Sequence, residues 1–139
     1  MSGNYLAAES LLIAHLRQQA PDVRAVLSAA DLSGVDESAQ QTPALHVLYD
    51  GDAPGDEAGD GHSQEALQRW MVVIAVRELR GPGLERERAG QIIAQVLSAL
   101  GERRPDALSG LRRIAGPGPL RTEGGYAYYP LLYTFPVVT

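Results

Sequence analysis

From Gln68 to Leu79 the chain reads Q-R-W-M-V-V-I-A-V-R-E-L, and between Trp70 and Val76 there is no polar side chain. A short apolar run rich in β-branched residues predicts a strand buried on both faces, the central strand of a sheet. A buried helical segment would share that pattern, but the run is short and Gly81-Pro82-Gly83 stops it almost at once.

The periodicity on either side changes. Asn4 is placed to cap a first helix in which Tyr5, Ala8, Leu12 and Leu16 share one face, with Pro21 ending it. His15 falls off that line and reads as a solvated helix residue. Val23 to Leu27 is a candidate strand, followed by a polar connection from Ala29 to Thr42. Pro43 opens a strand from Ala44 to Tyr49, with Leu45, Val47 and Tyr49 on one face. His46 points to the other face, where an ordinary hydrogen bond is expected. After the central strand a helix is predicted from Leu84 to Leu100, its stripe built by Ala89, Ile92, Ile93, Val96, Leu97 and Leu100. Glu85 and Glu87 at its start and Arg103 and Arg104 past its end suit the helix dipole, and Gly101 is expected as a left-handed cap.

Leu111 to Ile114 is a further short strand, and Gly116-Pro117-Gly118-Pro119 a rigid turn. A last strand runs from Tyr126 to Val138, and Pro130 and Pro136 within it predict an edge strand or a bulge. Its aromatic residues Tyr126, Tyr128, Tyr129, Tyr133 and Phe135 admit two readings: a subunit interface, or completion of the monomer's own core.

Asp50 to Ser63, D-G-D-A-P-G-D-E-A-G-D-G-H-S, stands apart by composition. It joins two strands expected to pair as a hairpin, yet is far longer than the usual connection of about two to five residues. Its acids, Asp50, Asp52, Asp56, Glu57 and Asp60, mark a solvated acidic arm. An EF-hand loop starting at Asp56 would need an acidic or amide residue where Ala58 stands and a glutamate where Leu67 stands, so a calcium site is not indicated. The elements add up to one domain over residues 1–139, of α+β (mixed α/β) class: a small, mostly antiparallel or mixed sheet packed against two α-helices.

Composition narrows the chemistry. With 45% hydrophobic and 21% charged residues the chain reads as an ordinary soluble domain. No apolar run is long enough for a bilayer, and no basic region leads into a long apolar core at the N-terminus, so cytosolic synthesis without membrane attachment is expected. Cysteine is absent, which removes disulfides and thiolate chemistry. The net charge of −5 and the scattering of the arginines argue against a nucleic-acid grip through phosphates. His15, His46 and His62 have no partner at metal-ligand spacing, and there is no G-x-S-x-G elbow, P-loop or dinucleotide fingerprint. No catalytic residue, metal or cofactor is indicated, and the expectation is a protein that is not an enzyme.

Three segments together, Thr42-Pro43-Ala44-Leu45-His46-Val47-Leu48-Tyr49-Asp50-Gly51, Gln68-Arg69-Trp70, and Gly125-Tyr126-Ala127-Tyr128-Tyr129-Pro130-Leu131, resemble tail terminator proteins of tailed bacteriophages. The likeness is one of pattern and order over nearly the whole chain, and the long acidic arm departs from it. The resemblance implies a small mixed sheet flanked by two helices. It also implies a structural role in the virion: a ring, usually a hexamer, on the head-proximal end of the tail tube, assembled in the host cytoplasm. Such a ring stops tube polymerisation and offers a surface to the head. The implied partners are copies of itself, the tail tube protein and the head–tail connector protein, with DNA passing through ungripped. On that premise the five acids of the arm face the lumen or the stacked tube ring. The competing readings are a head-completion or connector protein, which also forms rings at this junction, and a small cytosolic ligand-binding domain.

Overall fold

The computed structural model describes residues 3–57, 64–78 and 82–138. The apolar run lies in strand β3 (Gln64–Arg77), at the middle of a six-stranded mixed sheet. Its neighbours are β2 (Ala44–Glu57) and β6 (Tyr126–Val138), both antiparallel to it. β1 (Ala25–Ser28) adds in parallel to β2, while β4 (Arg112–Ile114) and β5 (Leu120–Arg121) both pair with the far side of β6. Two long helices, α1 (Ala8–Gln19) and α3 (Pro82–Leu100), contribute to a single core with one face of this sheet.

The period of two in β3 sorts its side chains. Trp70, Val72, Ile74 and Val76 join the core formed with the helices, each no more than 1% exposed. Met71, Val73 and Ala75 alternate with them on the opposite face, where Val73 and Ala75 are buried and Met71 is half-buried. Leu45 and Val47 of β2 continue the helix-side layer, as do Ala127, Leu131 and Tyr133 of β6. From α1 come Ala8, Leu12 and Leu16, and from α3 Ala89, Ile92, Val96, Ala99 and Leu100.

Several local expectations are corrected. Asn4 does not cap α1; its Oδ1 accepts the Leu6 N–H one turn earlier, and Ala7 stands at the helix start without a side-chain cap. His15 is not free in solvent, because its Nε2 lies 2.7 Å from the Ala99 carbonyl and ties α1 to α3. Gly101 is not left-handed; among the described residues positive φ occurs only at Gly34, Gly51 and Gly125. The chain leaves α3 through a turn in which the Arg103 N–H reaches back to the Ser98 carbonyl at 3.0 Å. The polar connection after β1 is also more ordered than a loop. Ser28 and Asp31 close a capping box on the single-turn helix α2 (Ala29–Leu32), and a 3-10 turn follows at Glu37–Ala39.

β6 is neither a bulged strand nor a simple edge. Its register with β3 is unbroken from Arg77↔Tyr126 to Glu65↔Val138. In an antiparallel ladder each residue turns its N–H and C=O to one side, so proline is tolerated where that side has no partner. β5 pairs with Ala127 and Tyr128 and β4 with Leu132 to Thr134. Pro130 falls in the gap between them and Pro136 lies beyond. Among the described residues the outer side of β6 therefore lacks a ladder partner from Tyr129 to Leu131 and from Phe135 to Val138, and one proline falls in each of these gaps.

Candidate functional site

The hairpin of β2 and β3 has two chemically different ends, and the sheet between them has one face without a long helix. The arm end comes first. The sequence reading gave Asp50 to Ser63 as a loop; the structure instead continues β2 as strand through Glu57 and starts β3 at Gln64. Ladder pairs persist out to Glu57↔Gln64, with register shifts between Tyr49 and Asp52 and between Pro54 and Glu57. Gly51, at φ +99°, supplies the backbone geometry of the first shift, and a side chain there would meet the Arg69 guanidinium at 3.1 Å. The core with the helices does not follow the strands outward: none of residues 50–55, 64–67 or 136–138 belongs to it. Leu67 and Val138 are left 41% and 57% exposed on this extension.

What fastens the root of the arm is a buried amide. Gln68 is fully buried, its Nε2 donating to the Tyr5 carbonyl at 2.6 Å and its Oε1 accepting the Trp70 indole N–H at 2.9 Å. Tyr5 in turn donates its hydroxyl to Asp52 at 2.7 Å, and this bond to a carboxylate, with some burial, raises the phenol's pKa. Arg69 donates to the Asp50 carbonyl at 3.0 Å and faces its carboxylate at 3.6 Å. Asp50 and Asp52 are thus already engaged at the root. The side chains of Asp56 and Glu57, and Asp60 as a whole, lie outside the described residues. Gln68 was missed as a structural residue; a glutamine two positions before a tryptophan, on the same strand face, was the available signal.

At the other end the face away from the helices carries a polar cluster under the Glu37–Ala39 turn. The Tyr128 hydroxyl donates to Glu37 at 3.1 Å and accepts from Gln40 Nε2 at 2.9 Å, while Thr122 donates to the other Glu37 oxygen at 2.5 Å. Burial is the main cause raising the Tyr128 pKa. The Arg77 guanidinium lies over the Tyr126 ring, 5.0 Å from its centroid. His46 sits on this face beside Tyr128, with ring centroids 6.2 Å apart, and burial lowers its pKa. The ordinary hydrogen bond expected for it is not there: its buried Nε2 has no partner among the described residues.

Beside this cluster is an open cleft of about 320 Å³ lined by Arg24, Gln40, Pro43, Arg77, Glu85 and Arg88. Three cations face one carboxylate there.

The aromatic residues divide. Tyr126 and Tyr133 are only 2% and 3% exposed and fill the monomer itself, so they are not available as they stand for an interface. Tyr128, Tyr129 and Phe135 are half-buried. Among the described residues no three histidine or acidic side chains converge as metal ligands, and no helix is long and apolar enough to cross a membrane.

No curated protein matches the chain. A family model described as phage tail terminator protein matches residues 1–139, its whole length.

Proposed function

Because the chain belongs to the phage tail terminator family and is a structural component of a phage tail, we propose that it closes the head-proximal end of the tail tube as a ring. The ring stops addition of tube protein and presents a surface to the head connector. Copies of the chain are its first partners, six to a ring, with the tube protein below and the connector above. Assembly takes place in the host cytoplasm.

The observation that carries this reading is a sheet that outlasts its core. Strands β2, β3 and β6 continue past the helix layer into an extension contributing nothing to the main core, with Leu67 and Val138 open. Paired strands lacking a packed face are marginal in water, so such an extension is explained by a surface that another subunit supplies. A ring needs two unlike surfaces on each subunit, and closure of the rotation keeps it from growing into a filament. The two ends of the β2–β3 hairpin are unlike in the required way.

Electron microscopy of particles made without this protein tests the proposal. Overlong tails without heads are the expected outcome. Full heads that leak or lack tails would assign the protein to the connector instead, and normal particles would remove it from tail completion altogether.

A further inference from the structure

The cleft beside the polar cluster has no ligand assigned to it by the family role, and its chemistry is specific. Arg24, Arg77 and Arg88 line it, and among the described residues none of the three has a carboxylate partner. The Nε of Arg77 is buried without an acceptor, and the Oε1 of Gln40 is buried without a donor. Gln40 is already held in place, because its Nε2 donates to the Glu37 carbonyl and to Tyr128. Arg77 is likewise fixed by its seat over Tyr126. The cleft therefore asks for an oxyanion, and a run of aspartates and glutamates within a polypeptide offers several carboxylates to the arginines at once.

The chain itself carries such a polypeptide. Between Arg24 and Arg69 there is no lysine or arginine, while nine of the seventeen acids fall there, five of them from Asp50 to Asp60. The same hairpin sets these charges at opposite poles. Thr42, Pro43, Val76 and Arg77 line the cleft where β2 begins and β3 ends, whereas Glu57↔Gln64 is the far end of the ladder. At the usual strand rise the two poles are about 40 Å apart. Glu85 is the one carboxylate among the described lining residues, against three arginines. An acidic segment cannot turn back over that distance into its own cleft, so its charge reaches the cleft only from a neighbour.

We infer that the arginine-lined cleft receives the acidic segment 50–63 of a second copy of this chain, joining the positive pole of one subunit to the negative pole of the next. This contact rests on the ring reading above and gives it a heterologous joint, which closes into a ring when the rotation allows. It puts the arm at the subunit boundary rather than in the lumen.

The test uses the full chain and a fluorescein-labelled peptide of residues 50–63, read by fluorescence anisotropy. Arg24 and Arg88 are exposed, so Arg24→Glu with Arg88→Glu leaves the core intact, which circular dichroism checks. The expected result is saturable binding that weakens at least tenfold in this double variant, is unchanged in Arg112→Glu on β4, and is absent for a peptide with its acids replaced by amides. Equal binding by the double variant, or by the neutral peptide, would overturn the inference. Micrographs of tails capped by the same variants separate the two claims. Capped tails of normal length with no peptide binding would sink the contact and leave the ring standing. Peptide binding with uncapped, overlong tails even for the natural chain would sink the ring role while the contact survives.

Discussion

On the helix side of β3, Trp70, Val72, Ile74 and Val76 are packed to 1% exposure or less, whereas on its other side Val73 and Ala75 are buried but Met71, with Leu48 and Leu27 on the neighbouring strands, stays half-buried. The residues are of one kind, so composition does not separate the two faces; what differs is what the rest of the chain lays over them. Against the first lie α1 and α3. Across the second, among the described residues, come the Glu37–Ala39 turn, short segments at Gly110 against Pro136 and at Gly116 against Leu132, and a polar network centred on Glu37 and Tyr128. One face is where the fold is held, and the other is where surface remains for a partner.

The largest test of that division truncates one residue on each side. Trp70→Ala removes a fully buried ring and a hydrogen bond to Gln68, with an expected cost of about 3–5 kcal/mol. Met71→Ala, one position along on the half-open face, should cost ~1 kcal/mol, because solvent already reaches it and little cavity is left. Urea titration of both variants decides it; equal losses would mean that the second face is as much core as the first.

Next in size is Gln68→Leu, which keeps the volume but strands the Trp70 N–H and the Tyr5 carbonyl. Leaving buried polar groups unpaired costs roughly 1–3 kcal/mol. Because Tyr5 also holds Asp52, amide exchange in residues 50–57 should rise more than in residues 71–76. Uniform exchange along β3 would show that the amide supports the core rather than the arm.

How much of this was legible in the sequence follows the same line. β3 announced itself because both of its faces are apolar, and the stripe of α3 because its period is helical. Gln68 did not, since a glutamine at a strand's end reads as solvent-facing unless its partners, 2 and 63 residues away, are known. The arm was read as loop because Asp, Gly and Pro are poor strand formers; pairing with β3 and a left-handed Gly51 override that propensity. Pro130 and Pro136 rightly signalled a missing ladder partner, but not that β4 and β5 would leave gaps at those places. Both His15 and Gly101 depend on contacts or dihedrals that no periodicity encodes. The arginine cleft gathers residues from four separate segments, and nothing local in any of them points to it.

A smaller effect belongs to the connection that leads onto the second face. Ser28→Ala removes the acceptor for the Asp31 N–H and one donor to the Asp31 carboxylate, breaking the capping box of α2. The expected loss is about 1 kcal/mol. The backbone and side-chain hydrogen bonds from Ser28 also hold the Asp31 pKa below its ordinary value. That stabilisation is present above the ordinary aspartate range and fades as pH falls through the lowered value. The penalty for Ser28→Ala should therefore shrink in acid, and a penalty constant down to pH 3 would show that the cap acts without the carboxylate.

The smallest effect is invisible at neutral pH and comes from His46 on the second face. Burial lowers its pKa from the ordinary 6.5. The unfolded chain therefore binds a proton at a pH where the folded chain does not, and stability falls as pH drops from 6.5 toward the lowered value. Below that value both states are protonated and the loss is complete. The groups facing the ring are the Tyr128 phenol and, through it, Glu37. Glu37 already accepts hydrogen bonds from Tyr128 and Thr122, and the structure gives it no bond to the imidazolium. His46→Leu removes the titrating group and keeps a side chain of similar bulk, so it should match the parent at pH 7.5 to within a constant offset and gain on it steadily between pH 6.5 and 5. Parallel stability curves over that interval would mean that the second face admits enough water to charge the imidazole freely, and the distinction between the two faces would then be sharper still, one dry and one wet.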